Sequence, residues 1–204
     1  MYKATLRDKA FVVNLLTSAF DDNKSVNFVV RQDVHRVERI KHLMDYAYNV
    51  CNTFGEIWIS DDHAACALLV FPDRKRITLN SILWDLKLVF LVIGIGRLYP
   101  VLKREKLIKA DHPRDAAGFA SLWFLAVHTE NQGDGIGTTL LGEVLAECKK
   151  RERDIYLETS VARNLSFYQR LGFEVYKSIE LTYKLYQLRK LIKNAPPASA
   201  TQAG

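Results

Sequence analysis

The chain has 204 residues, 49% hydrophobic and 25% charged, with 10 Gly and 5 Pro. That is enough chain for a sizeable core, and it excludes a disordered, collagen-like or low-complexity protein. Lys and Arg (29) outnumber Asp and Glu (23), so anionic partners such as nucleotides, phosphates or an acidic surface are favoured, while Cys51, Cys66 and Cys148 are too scattered for a disulfide framework or a zinc site.

The first twenty residues interrupt their apolar positions with Arg7, Asp8, Lys9 and Asn14, unlike a signal peptide, and with so few cysteines a reducing, cytoplasmic location is expected. Residues 7–20 and 34–50 place apolar side chains at helical spacing, the second run through Val34, Val37, Ile40, Met44, Ala47 and Val50. Two short strands, 56–60 and 64–71, flank the polar Asp61-Asp62-His63 and stop at Pro72. Residues 79–109 read as helix, apolar as far as Ile93 and then basic, with a break marked by Gly94, Gly96 and Pro100. The apolar core of that segment, 88–96, falls well short of the roughly 20 residues that span a bilayer.

A near-continuous apolar run, 118–127, predicts a buried central strand. Ile136, Leu140, Leu141, Val144, Leu145 and Cys148 then predict an amphipathic helix over 135–151. A strand at 155–159, a short helix at 164–171 closed by Gly172, and one or two strands over 173–188 complete the pattern. Residues 1–193 read as one domain, with 79–110 a helical insertion that forms a pocket wall or lid, and 194–204 as a mobile tail.

The most informative segment is Gln132-Gly133-Asp134-Gly135-Ile136-Gly137-Thr138, between the central strand and the amphipathic helix. Glycines there permit positive φ and close approach of the backbone, and the first helical N–H groups have no partner within the helix, which makes the turn an anion cradle. A dinucleotide fingerprint needs glycine where Thr138 stands, and a P-loop needs a GK[ST] that is missing. The spacing Gln132-x-x-Gly135-x-Gly137 instead resembles the Q/R-x-x-G-x-G/A motif of the GNAT superfamily of N-acetyltransferases. A second segment, Asn164-x-x-x-Tyr168-x-x-x-Gly172-Phe173, is similar to that superfamily's N-x-x-x-Y-x-x-x-G-F signature and follows in the right order.

The resemblance implies a GNAT-like α/β fold, a mixed twisted sheet with helices on both faces, and direct transfer of an acetyl group from acetyl-CoA to a primary amine. By the same resemblance the amides of 132–138 hold the coenzyme's pyrophosphate, the main chain of Leu125, Ala126 and Val127 holds its pantetheine arm, and Asn164 and Tyr168 face the cleft. Tyr168 is then the general acid towards the departing sulfur. Glu158, near the end of the following strand, is the weaker candidate for a general base acting through water. His112 and His128 are loop residues without a placed role, and Phe119 stands where some members bear a histidine. Of the aromatics in the insertion, Trp84, Phe90 and Tyr99 are candidates for lining a pocket, with core packing the preferred role for Phe90.

No metal or nucleic-acid partner is expected, and the basic runs Arg74-Lys75-Arg76 and 97–109 read first as solvated faces. A homodimer is the assembly the family implies. Two other readings stand beside the enzyme: a non-catalytic acyl-CoA-binding sensor or scaffold, and an insertion that lies on a membrane or a partner protein.

Overall fold

A computed structural model of the chain describes residues 1–112 and 118–192. The expected tail, 194–204, lies outside the described residues. In chain order the elements are β1 (Tyr2–Lys3), α1 (Lys9–Ala19), α2 (Lys24–Val29), α3 (Arg36–Phe54), β2 (Gly55–Ile59), β3 (Ala65–Val70), α4 (Leu79–Lys87), α5 (Leu98–Lys109), β4 (Phe119–Val127), α6 (Ile136–Lys150), β5 (Asp154–Thr159), α7 (Leu165–Arg170), β6 (Glu174–Glu180) and β7 (Lys184–Lys190). Among them the strands form a seven-stranded mixed sheet in the order β1-β2-β3-β4-β5-β7-β6, with β4 at its centre. Every pairing is antiparallel except β4 with β5. The antiparallel pairs β2–β3 and β6–β7 are joined by short connections, whereas the parallel pair needs a crossover, which α6 supplies.

Each face of the sheet carries its own core. Cys66, Leu68 and Val70 of β3 pack with α1 and α3 through Leu16, Ile40 and Met44. Ala65, Ala67 and Leu69 of the same strand pack with α6 and α7 through Leu140, Leu141 and Tyr168. Alternation along the strand sends successive side chains to opposite layers, so β3 reads as continuously apolar.

In β4 this alternation is interrupted. Leu69 pairs with Leu122 and Leu68 with Phe124, leaving Trp123 as a β-bulge. As a result Ala120 and Leu122 face the α6 layer, whereas Phe124 and Ala126, of the same sequence parity, face the α1/α3 layer. One extra residue reverses the facing of everything after it.

Three expectations are corrected. Helix α3 begins only at Arg36, so Val34 and Val37, 95% and 57% exposed, do not belong to its buried stripe. The 79–109 segment breaks at Gly94, whose φ is +76°, after a π-helical turn over Leu88–Ile93, while Pro100 sits in the first turn of α5, where a missing N–H costs nothing. Phe90 and Tyr99 are 59% and 76% exposed, so Phe90 is not a core residue and neither lines an enclosed pocket. The two halves of this segment meet at 90°, and among the described residues no single helix is long and apolar enough to cross a membrane. The short elements β1 and α2 carry too few residues to show a period and were not legible in the sequence.

Candidate active site

Strand β4 pairs with β5 only from Phe119 to Leu122. Beyond Leu157 strand β5 continues beside β7, with Glu158 opposite Gln187 and Thr159 opposite Tyr186, so the last five residues of β4 have no strand partner on that side. The sheet therefore opens into a split at the C-terminal end of β4. On its other side β4 remains paired with β3, where the N–H of His128 donates to the carbonyl of Ala64 at 2.7 Å. Hydrogen-bonded and non-hydrogen-bonded pairs alternate in an antiparallel ladder. The pair Cys66 and Ala126 is accordingly a bonded one, and the N–H and C=O of Leu125 and Val127 point into the split.

The glycine turn follows directly. Gly133 and Gly135 have φ of +106° and +81°, and Gly135 is the N-cap of α6 without any side-chain cap. The first intrahelical bond runs from Thr139 N to Gly135 O at 2.9 Å, so the amides of Ile136, Gly137 and Thr138 are the open donors of the helix start. A Cβ at Gly133 or Gly135 would meet nothing within 4 Å, which marks the concave side of the turn as open, while at Gly137 it would lie 3.0 Å from Val127. Gln132 folds back, its amide nitrogen 3.4 Å from the Val127 carbonyl, and Asp134 is exposed.

Tyr168 lies in α7, one turn after Asn164, the half-buried N-cap of that helix. Its ring packs against Phe167 and Phe173 and shares one apolar cluster with Leu125, Val127 and Ile136. The hydroxyl makes no hydrogen bond to the described residues, and burial pushes its pKa up to about 12. The backbone turns back after α7 at Gly172, where φ is +83°. A buried phenol of this kind stays protonated throughout the physiological range and holds an unspent donor.

Glu158 is directed to the opposite face. Ile155 and Leu157 of β5 join the cluster that contains Tyr168, so Tyr156 and Glu158 project to the other side of the sheet. There Glu158 Oε1 lies 2.9 Å from Nε2 of His112, and both side chains are largely buried, at 17% and 16% exposure. The His112 ring packs between Phe119 and Tyr156, 5.8 Å from each. Beside it the buried hydroxyl of Tyr176 has no partner among the described residues, and burial together with the charge of Glu158 drives its pKa upward. His112 and Tyr176 are the residues that sequence reasoning missed. Only the proximity of His112 to Phe119 in the chain hinted at it, and nothing marked Tyr176.

Helix α5 covers this face. Buried Arg104 donates to the Tyr183 hydroxyl at 2.8 Å and to Ser25 Oγ, and fully buried Gln187 donates to the Ile108 carbonyl at 3.0 Å. Phe28, Ile108, Ile179, Tyr183 and Leu185 fill the space between α2, α5 and the β6–β7 hairpin.

A family profile described as Acetyltransferase (GNAT) domain matches residues 88–175, a span that contains the β4 split, the glycine turn, α6, β5, Glu158 and Tyr168. Over that span the chain is similar to the GNAT acetyltransferases. Its fold matches the crystal structure of histone acetyltransferase HPA2 and related acetyltransferase from Corynebacterium glutamicum, at 20% identity and TM-score 0.70 over 97% of each chain. It also matches the C-terminal condensation domain of Ebony in complex with beta-alanyl-dopamine, at 8% identity and TM-score 0.67 over 93% of this chain and 96% of that one. The ribosomal-protein-S18-alanine N-acetyltransferase from Escherichia coli aligns at 14% identity and TM-score 0.51, over 98% of this chain and 97% of the other. The likeness over residues 88–175 supports acetyl transfer as general chemistry for this site. Among the described residues, no group of three or more His, Cys, Asp or Glu is placed to hold a metal ion.

Proposed function

We propose that this protein transfers an acetyl group from acetyl-CoA to a primary amine by direct attack, within one domain spanning residues 1–193. The observation that carries the reading is the split between β4 and β5, with the glycine turn at its mouth and Tyr168 and Glu158 on its opposite faces. The site fits the coenzyme: the turn is open where a Cβ would project, and main-chain groups of Leu125 and Val127 without a strand partner on the β5 side edge the gap. The amides of residues 132–138 would hold the pyrophosphate, and Leu125 and Val127 the pantetheine arm, with Ala126 committed to β3. Asn164 lines the approach beside α7.

Acetyl-CoA supplies an activated acyl group. An N–H of the β4 terminus directed into the split is placed to polarise its carbonyl. Tyr168 offers its O–H to the sulfur. With a pKa near 12 against about 8.5 for a thiol, full proton transfer from the phenol is uphill, so its main contribution is a hydrogen bond to the developing thiolate. On the other face Glu158, oriented by His112, takes the proton of the incoming amine through water. Helix α5 and the β6–β7 hairpin wall the acceptor side, which supports a part for α5 in substrate selection.

The test is calorimetric titration of the purified protein with acetyl-CoA against a Gly135→Glu/Gly137→Glu variant, followed by an amine panel with thiol release as readout. Binding by the wild type and its loss in the variant support the reading. Equal binding by both moves the coenzyme away from the turn, and no binding by either removes the enzyme assignment.

A further inference from the structure

Helix α4 is amphipathic in the reverse sense. Leu79, Ile82, Leu83, Leu86 and Phe90 recur at the spacing of one helical face, and all are 45% to 83% exposed, with no residue of α4 buried. The polar side faces inward: Tyr46 of α3 donates to Asp85 at 2.8 Å, Arg39 donates to the carbonyl of Leu91, and Trp84 packs against the α1/α3 core. The pattern continues past Gly94, where Ile95, Tyr99 and Leu102 are 70%, 76% and 57% exposed. Eleven of the fifteen exposed large apolar side chains among the described residues fall between Ile77 and Leu107. So dense an exposed apolar surface marks a contact site.

Charge identifies what it contacts. Residues 74–110 hold nine Lys and Arg against two Asp and Glu, whereas the excess over the whole chain is six, so the remainder is net acidic by one. The protein's positive excess therefore falls within this stretch of chain, where Lys87, Lys103, Lys106 and Lys109 are exposed. A second copy of the chain would oppose like charge to like charge across such an interface. A bilayer with anionic headgroups accepts both features, the apolar stripe between the acyl chains and the Lys and Arg among the phosphates.

We propose that the 77–109 segment is a membrane-surface anchor, with the Leu79-to-Phe90 stripe inserted at the headgroup boundary and the exposed Lys87, Lys103, Lys106 and Lys109 paired with anionic lipid. This inference does not rest on the acetyl-transfer reading. The anchor lies apart from the glycine turn, and binding of acetyl-CoA is unchanged by its variants.

The experiment is flotation of the full chain with vesicles of phosphatidylcholine alone or mixed with phosphatidylglycerol, at low and high salt. The wild type floats with the anionic vesicles and is released by salt. Lys103→Gln/Lys106→Gln, two exposed side chains, weakens partitioning by roughly fivefold per charge, and Leu83→Asn/Leu86→Asn/Phe90→Ser abolishes flotation while the circular dichroism melt stays that of the wild type. Failure of the wild type to float on anionic vesicles overturns the proposal, as does flotation that the triple variant leaves intact. Sedimentation showing a wild-type dimer that the triple variant converts to monomer assigns the stripe to a second copy and overturns it equally.

Discussion

Helices α6 and α4 carry apolar residues at the same helical spacing, yet α6 buries Leu140, Leu141, Val144, Leu145 and Cys148 beneath the sheet, and α4 buries none of its stripe. The difference lies in what each helix is offered. Helix α6 crosses over between parallel strands and is laid on the sheet by that connection, with its N-terminus held at the glycine turn. Helix α4 follows an edge of the α1/α3 layer, where that layer's core is already filled and the available partners are Tyr46 and Arg39. A helical period says that one face is apolar. It does not say whether that face meets protein, lipid or water.

The largest expected effect separates the chemical side of the molecule from the α4 side. Tyr168→Phe lowers kcat by about 10²- to 10³-fold with KM for acetyl-CoA nearly unchanged, the range for loss of a hydrogen-bond donor to developing negative charge, and steady-state kinetics with thiol release measures it. Its thermal stability stays close to wild type at neutral pH, because the lost hydroxyl has no partner among the described residues. Burial holds the folded pKa, about 12, above the unfolded value near 10, so wild type matches Tyr168→Phe below about pH 10 and loses stability relative to it as pH rises towards 12. A kcat that survives the substitution would leave the site a binding module.

The next prediction addresses the two helices themselves. Leu141→Ala, at a fully buried position of α6, costs about 2–5 kcal/mol in denaturant unfolding, whereas Leu83→Ala, 54% exposed on α4, changes stability by less than about 0.5 kcal/mol. Similar losses at both positions would mean that the α4 stripe is packed within the protein, and the contrast would collapse.

A smaller effect is expected where α6 ends. Glu56 of β2 is 5% exposed and accepts from Arg151 at 2.7 Å and from Lys3 at 3.0 Å. Burial alone would raise its pKa, but these two cations outweigh it and hold the carboxyl below its ordinary 4.5. Its stabilisation is therefore present above about pH 4.5 and disappears as pH falls through the lower folded value. Glu56→Gln costs about 1–2 kcal/mol at neutral pH and flattens the acid side of a stability profile measured by urea unfolding.

The legible parts of the site were those encoded locally. Gln132 to Thr138 and Asn164 to Phe173 are short runs in which glycine positions and a helix start dictate the backbone, and the structure puts both around one split in the sheet. The illegible parts depended on distant partners. His112 and Glu158 are 46 residues apart in the chain and meet only in the tertiary structure. The Trp123 bulge, which decides that Leu125 and Val127 rather than Ala126 face the split, is set by pairing with β3 and has no signal of its own in an all-apolar strand.

By itself, then, the sequence determined the order of helices and strands, the central place of β4 and the glycine turn at the head of α6, because each follows from backbone preference and local periodicity. Tertiary structure alone decided the split between β4 and β5, the pairing of His112 with Glu158 and the outward facing of α4. The physical reason is common to all three. Which face of an element is buried, and which carboxylate finds a partner, depends on surfaces contributed by residues far away in the chain, and no local pattern specifies them.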